Sequence, residues 1–263
     1  MSPESRAHAE QLVPHARMVF VVLMPYFCGD TPGNLSLYAR GRDYHEVMQE
    51  VLAPFAAELS AAHQCIAVPL ADASPLPETQ AARLSGVGRI GENGLLFDPT
   101  YGSYVFIGTV LTDLPYTPLP AVHRHIPSVP RPPEPPPHID CAHCGACVRV
   151  CPLGAIAPAG RIDPARCLSA LTQQGGTLPP AAAEAVAAHP LIWGCDLCQR
   201  VCPQNIAVRQ TDHPAFRENL LTSLTAADVD GLTRRAFLEK YPHRGFTWRG
   251  PAPLKRNLKL KEE

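Results

Sequence analysis

Residues 18–24 (Met-Val-Phe-Val-Val-Leu-Met) form an unbroken apolar block rich in branched side chains, which predicts a buried strand that Pro25 stops. From Arg42 onward Val47, Val51, Phe55 and Leu59 recur every four residues and predict a helix, which Pro54 should kink or interrupt. Residues 65–70 read as a second strand, 78–84 as a helix, and 95–97 and 104–111 as two further strands. Strands mixed with helices in this way predict an α/β or α+β domain. Gly86, Gly88, Gly91 and Gly94 precede the third strand, and their spacing is not that of a dinucleotide-binding loop. A tight helix-to-strand connection accounts for them, close approach of a ligand to the backbone being the alternative.

Composition changes the picture twice. A chain of 263 residues with 46% hydrophobic and 18% charged side chains can bury a core, which excludes a disordered protein. The longest apolar run, 18–25, is far shorter than the roughly 20 residues of a membrane helix, and no basic-then-apolar leader opens the chain, so a cytoplasmic protein is expected. The 30 prolines and 10 cysteines are abnormal and unevenly placed. Prolines crowd residues 113–139, which reads as an extended linker between a first domain (1–112) and a cysteine-rich one (140–208), followed by a basic helical tail (209–263).

The cysteines carry the chemistry. Cys141-x2-Cys144-x2-Cys147-x3-Cys151-Pro152 has the bacterial ferredoxin spacing, in which three thiolates of one loop hold one 4Fe-4S cluster and the fourth reaches another. A shorter copy, Cys195-x2-Cys198-x3-Cys202-Pro203, follows, with Cys167 between the two. If each Cys-Pro position crosses over, the first cluster takes Cys141, Cys144, Cys147 and Cys202, and the second takes Cys151, Cys167, Cys195 and Cys198. Two four-cysteine zinc sites are the competing reading, but zinc modules favour paired knuckles over a triple run. Cys28 and Cys65 lie outside both motifs and read as small core side chains. Two clusters move electrons without performing organic chemistry, so the first domain should hold an acceptor or its cofactor.

The motif series resembles that of the epoxyqueuosine reductase family. It comprises Tyr38-Ala39-Arg40-Gly41-Arg42-Asp43-Tyr44-His45, Asp72-Ala73-Ser74-Pro75, Gly86-x-Gly88-x-x-Gly91, the stretch from Tyr101 to Gly108, the cysteine order and Arg256-Asn257. The resemblance implies a nitroreductase-like cobalamin-binding domain joined to a bicluster ferredoxin-like domain, an α+β whole, in a short form without C-terminal helical repeats. It implies an oxidoreductase that reduces epoxyqueuosine to queuosine in tRNA, with a reductase or ferredoxin feeding electrons through the clusters to cobalamin. Asp72 is then the catalytic proton donor, and Arg40, Asp43, Tyr44, His45, Gly88 and Gly91 are candidate cofactor contacts. A turn-forming role is the alternative for Asp72, and helix capping for Asp43.

The chain departs from the family pattern at Arg89 and Glu92, where a Trp and a Lys are expected, at Ala170 and Gln174, and at Gln204, which replaces a Trp. Residues 233–263 hold nine Lys and Arg against three Glu, a basic segment suited to RNA phosphates, with Phe246 and Trp248 as possible base-stacking groups or the whole as a solvated tail. A second functional reading is an electron-transfer module that reduces a partner, such as a corrinoid protein, and performs no substrate chemistry; cobalamin binding separates the two.

Overall fold

The computed structural model describes residues 9–72, 74–115, 141–157 and 160–262. The expected linker lies outside the described residues from position 116 to its end at 139. Before it run β1 (Met18–Pro25), α1 (Tyr44–His63), β2 (Ala67–Ala71), α2 (Glu78–Leu84), β3 (Arg89–Ile90), β4 (Leu96–Phe97) and β5 (Val105–Thr112). β5 lies at the centre of an antiparallel sheet of order β1-β5-β2, and β3 and β4 pair in a small ribbon.

Alternation along β5 decides which helix covers which face. Phe106 and Val110 join Met24, Val47, Met48, Leu52 and Ala56 under α1, while Val105 and Ile107 meet Ala82, Ile90 and Leu96 under α2 and the ribbon. Gly108 is required between them, because a Cβ there would run into Met48 and Leu52. Each fully buried side chain of this kind contributes roughly 1.5–3 kcal/mol.

Two sequence expectations need correction. α1 passes through Pro54 uninterrupted; Pro54 lies on the exposed side, where water can satisfy the carbonyl it leaves unpaired. The buried stripe of α1 is Val47, Met48, Leu52, Ala56 and Leu59, whereas Val51 and Phe55 are exposed, Phe55 standing edge-on to Phe20.

After the linker come α3 (Ala146–Val150), β6 (Ile156–Ala157), β7 (Arg161–Ile162), α4 (Leu168–Gln173), α5 (Pro180–Ala188), α6 (Leu197–Arg200), α7 (Ala226–Val229), α8 (Arg234–Lys240) and α9 (Ala252–Glu262). These elements share a core with residues far upstream: Leu35 and Ala39 are packed among Ile192, Trp193, Leu224, Val229, Phe237, Phe246 and Leu254. Leu35 also bridges Trp193, and Ala215 and Phe216 enter the core under α1. The two sides of the linker are therefore interleaved.

The basic C-terminal segment is folded against the rest. Asn257 is fully buried and donates to the carbonyls of Thr172 (2.7 Å) and Ile192 (2.8 Å). Arg256 caps Leu171, Gln174 and Gly176 carbonyls, Lys261 those at the end of α5, and Arg244 those of Arg40, Gly41 and Asn219. Phe246 belongs to the core and is not available for stacking.

Candidate functional site

Both cysteine loops precede short helices, so that backbone N–H groups point back at the sulfurs: Val148 toward Cys147, Leu197 toward Cys195, Gln204 and Asn205 toward Cys202, and Ala155 toward Cys151 at 3.2 Å. Cys141, Cys144, Cys147 and Cys202 line one open cavity of about 510 Å³, with Gly91, Glu92, Asn93 and Phe97 opposite. The other four are mutual neighbours: Cys151 and Cys167 act on Cys195, and Cys195 and Cys167 on Cys198. Burial pushes the Cys195 and Cys198 thiols up to about 12, helped at Cys195 by the charge of Asp196 and then by Cys167 and Cys151, and at Cys198 by Cys195. Eight sulfurs in two groups, with N–H donors aimed at several of them, fit two iron-sulfur centres.

The second loop is fixed to the first half of the chain by polar groups that the sequence reading did not single out. Asp196, buried beside Cys195, accepts hydrogen bonds from the Ser36 hydroxyl and from the Leu37 N–H at 3.0 Å. Gln199 donates to the Tyr26 hydroxyl and to Ser103, and Asn205 accepts from the Ser103 N–H at 2.7 Å. Asp196 and Gln199 stand inside the second cysteine run and Asn205 just beyond it. Glu92, an expected point of departure, meets His143 at 3.3 Å next to Cys141.

A second constellation forms where the start of α1 meets the end of β2. Asp43 caps α1, accepting from the His45 N–H at 3.0 Å, and holds the His45 ring through Nδ1 at 2.7 Å. The other ring nitrogen, Nε2, lies 3.2 Å from Asp72, to which the Tyr44 hydroxyl also donates at 2.9 Å. Tyr44 is stacked between His45 and Phe106 at centroid separations of 4.0 and 4.2 Å. Burial depresses the His45 pKa, but the hydrogen bonds and charges of Asp43 and Asp72 outweigh it and raise the value to about 9. Asp72 itself is at φ 61, a left-handed conformation that Asp tolerates, and its side chain is 61% exposed. The apolar burial expected for a proton-donating Asp72 is absent; donors surround it instead.

The remaining candidates separate from this group. Arg40 is 3% exposed, donating to the Leu35 and Thr31 carbonyls with one terminal nitrogen buried and without a partner. Cys28, half-buried, lines the same small cavity, and Cys65 is half-buried near the Leu59 carbonyl. Gly88 lies so close to Leu96 and the Phe97 carbonyl that a Cβ there would clash, and Gly91 faces the Asn93 side chain. The ribbon accounts for both, although Gly91 also faces the cysteine cavity.

This fold and its cysteine quartets define an α+β protein with a double iron-sulfur domain, and a model described as a 4Fe-4S double cluster binding domain matches residues 140–205. A second model, described as epoxyqueuosine reductase QueG, DUF1730, matches residues 6–72. In sequence and in fold the chain is similar to epoxyqueuosine reductases. It is 29% identical to an epoxyqueuosine reductase of Bacillus cereus over 98% of this chain and 66% of that protein, and 31% identical to one of Lactococcus garvieae over 86% of this chain and 60% of that protein. A solved epoxyqueuosine reductase bound to an epoxyqueuosine-modified tRNA-Tyr stem loop superposes with a TM-score of 0.79 at 27% identity, covering 96% of this chain and 66% of that one. A Bacillus subtilis epoxyqueuosine reductase, solved with its catalytic aspartate loop swung out of the active site, gives 0.80 at 27% identity, covering 99% of this chain and 68% of that one. The chain thus spans about two thirds or less of the curated relatives' length. Among the described residues no helix is long and apolar enough to cross a membrane.

Proposed function

We propose that this chain is a cytoplasmic oxidoreductase that converts epoxyqueuosine in tRNA to queuosine, using two 4Fe-4S clusters and cobalamin. The observation that carries the reading is Asp72, open to solvent yet held by Tyr44 and His45, in a chain that also gathers two thiol quartets. Removing an epoxide oxygen as water consumes two electrons and two protons. Cys141, Cys144, Cys147 and Cys202 would hold one cluster and Cys151, Cys167, Cys195 and Cys198 the other, passing electrons singly from a reductase or ferredoxin. When bound, cobalamin supplies a strongly reducing cobalt centre, and Tyr44, His45 and Asp72, whose polar edges remain exposed, together with Gly91 are the residues that would face it.

The protons are this chain's own contribution. Protonated His45, locked by Asp43, holds a proton 3.2 Å from Asp72, and Asp72 is the exposed member able to hand it to a developing alkoxide. Such an arrangement gives Asp72 a donor role without the burial that would otherwise be needed to keep it protonated.

The test is anaerobic turnover of epoxyqueuosine-containing tRNA by the cluster-loaded chain with cobalamin and dithionite, read by nucleoside analysis. Queuosine should form, and Asp72→Asn, with iron content and cobalamin binding intact, should slow it at least ~100-fold. Intact clusters with neither queuosine formed nor cobalamin bound would favour the electron-transfer module.

A further inference from the structure

The chain has two tryptophans, which occupy opposite environments: Trp193 is fully buried, and Trp248 is 51% exposed. An indole left this open is usually mobile, yet Trp248 is fixed on three sides. Its ring N–H donates to Gln173 at 3.3 Å, its carbonyl accepts from Arg234 at 3.3 Å, and the Arg249 guanidinium lies 4.1 Å from the ring centroid. Gln173 in turn donates to the Tyr38 hydroxyl at 3.0 Å, and Tyr38 packs against the same core cluster as Tyr44, so a line of side chains runs from the indole to the core on which the Tyr44-Asp72 pair rests.

Of the basic residues in 233–263, Arg244, Arg256 and Lys261 are engaged with backbone carbonyls, Lys240 with Asp228 and Arg235 with Glu239. They keep the surface positive but are committed to the fold. Arg249 is different, because its guanidinium is spread over an aromatic face at the surface.

We infer that Trp248 and Arg249 form a stacking platform for an unpaired base of RNA at the approach to the Asp72 network. A rigid indole backed by a guanidinium in a positive field is the chemistry that holds single-stranded bases, whose faces a duplex hides. The inference deepens the proposed function by naming where the loop of its RNA substrate would rest, and it rests on that reading.

The experiment uses a synthetic unmodified RNA hairpin with an unpaired loop, and a blunt duplex of the same stem as control. Hairpin binding should quench Trp248 fluorescence. Trp248→Ala, with wild-type circular dichroism and iron content, should bind the hairpin about fivefold to a hundredfold more weakly, the range of one base-aromatic stack, and the duplex unchanged. Trp248→Phe, which keeps an aromatic face but not the N–H, should restore most of the affinity. Unchanged hairpin affinity in Trp248→Ala, or equal loss for hairpin and duplex, would overturn the platform and leave Trp248 to a protein contact or to general electrostatics. A chain that binds the hairpin through Trp248 but forms no queuosine would refute the proposed function alone. Turnover and hairpin affinity both unaffected by Trp248→Ala would refute this inference alone.

Discussion

Asp43 performs two jobs that one substitution can separate. Its carboxylate caps α1 and also charges the His45 ring; Asn caps a helix about as well as Asp, so Asp43→Asn should remove the charge and keep the fold. His45 titrates near 9 because two carboxylates outweigh its burial, and Asp43 contributes more than Asp72. Losing it should lower the midpoint by roughly 1–1.5 units, about 2 kcal/mol before screening at ~1.36 kcal/mol per unit. The His45 side chain is 43% exposed, so solvent should reduce this to about 1 kcal/mol of stability. The sign follows from a folded-state pKa raised above the ordinary 6.5: the stabilisation is complete below about 6.5 and disappears as pH rises through about 9. Wild type should therefore lose about 1–2 kcal/mol in urea unfolding between those limits, with less loss and a lower midpoint in Asp43→Asn. An NMR titration of the His45 ring, identified by its absence in His45→Gln, gives the midpoint directly. A wild-type midpoint near 6.5, or the same midpoint in both proteins, would refute the coupling and with it the proton store behind Asp72.

Three further outcomes can be checked. Anaerobically purified protein should carry about eight irons, and Cys167→Ala should lose the cluster shared with Cys195 while retaining the other; electron paramagnetic resonance showing loss of the Cys141 cluster alone would contradict the crossover. Reduced cobalamin added under anaerobic conditions should change spectrum and co-elute with the chain, whereas no retention at micromolar protein counts against the corrinoid half of the proposal. Asn257→Leu strands two buried carbonyls, at a cost of about 1–3 kcal/mol each, and should lower Tm by about 4–20 °C at roughly 2–4 °C per kcal/mol in a chain of this size; an unchanged calorimetric Tm would show that the carbonyls find other partners.

Much of the fold was readable because β1 and β5 are dense in apolar residues and sharply bounded. The buried stripe of α1 was only half legible: counting every fourth residue from Val47 finds Val47 and Leu59 but skips Met48, Leu52 and Ala56, and the exposure of Val51 and Phe55 is set by what packs against the helix, which its period does not encode. β3 carries only two paired residues and therefore no period to read. The double-cluster domain was legible because the spacing within each cysteine run is local. The meeting of His45 with Asp72 was not, since it depends on β2 ending beside the start of α1. Trp248 was visible as an aromatic in a basic stretch, but only packing separates it from buried Phe246.

The shared core of Leu35, Trp193, Phe237 and Leu254 has a consequence for the order in which the molecule can be made. A ribosome releases Leu35 long before Leu254, so the first half of the chain emerges with an apolar surface whose partners do not yet exist. The cysteines appear between those moments. The thiol loops thus leave the ribosome before α9, whose Asn257 anchors the Thr172 and Ile192 carbonyls, is there to support them.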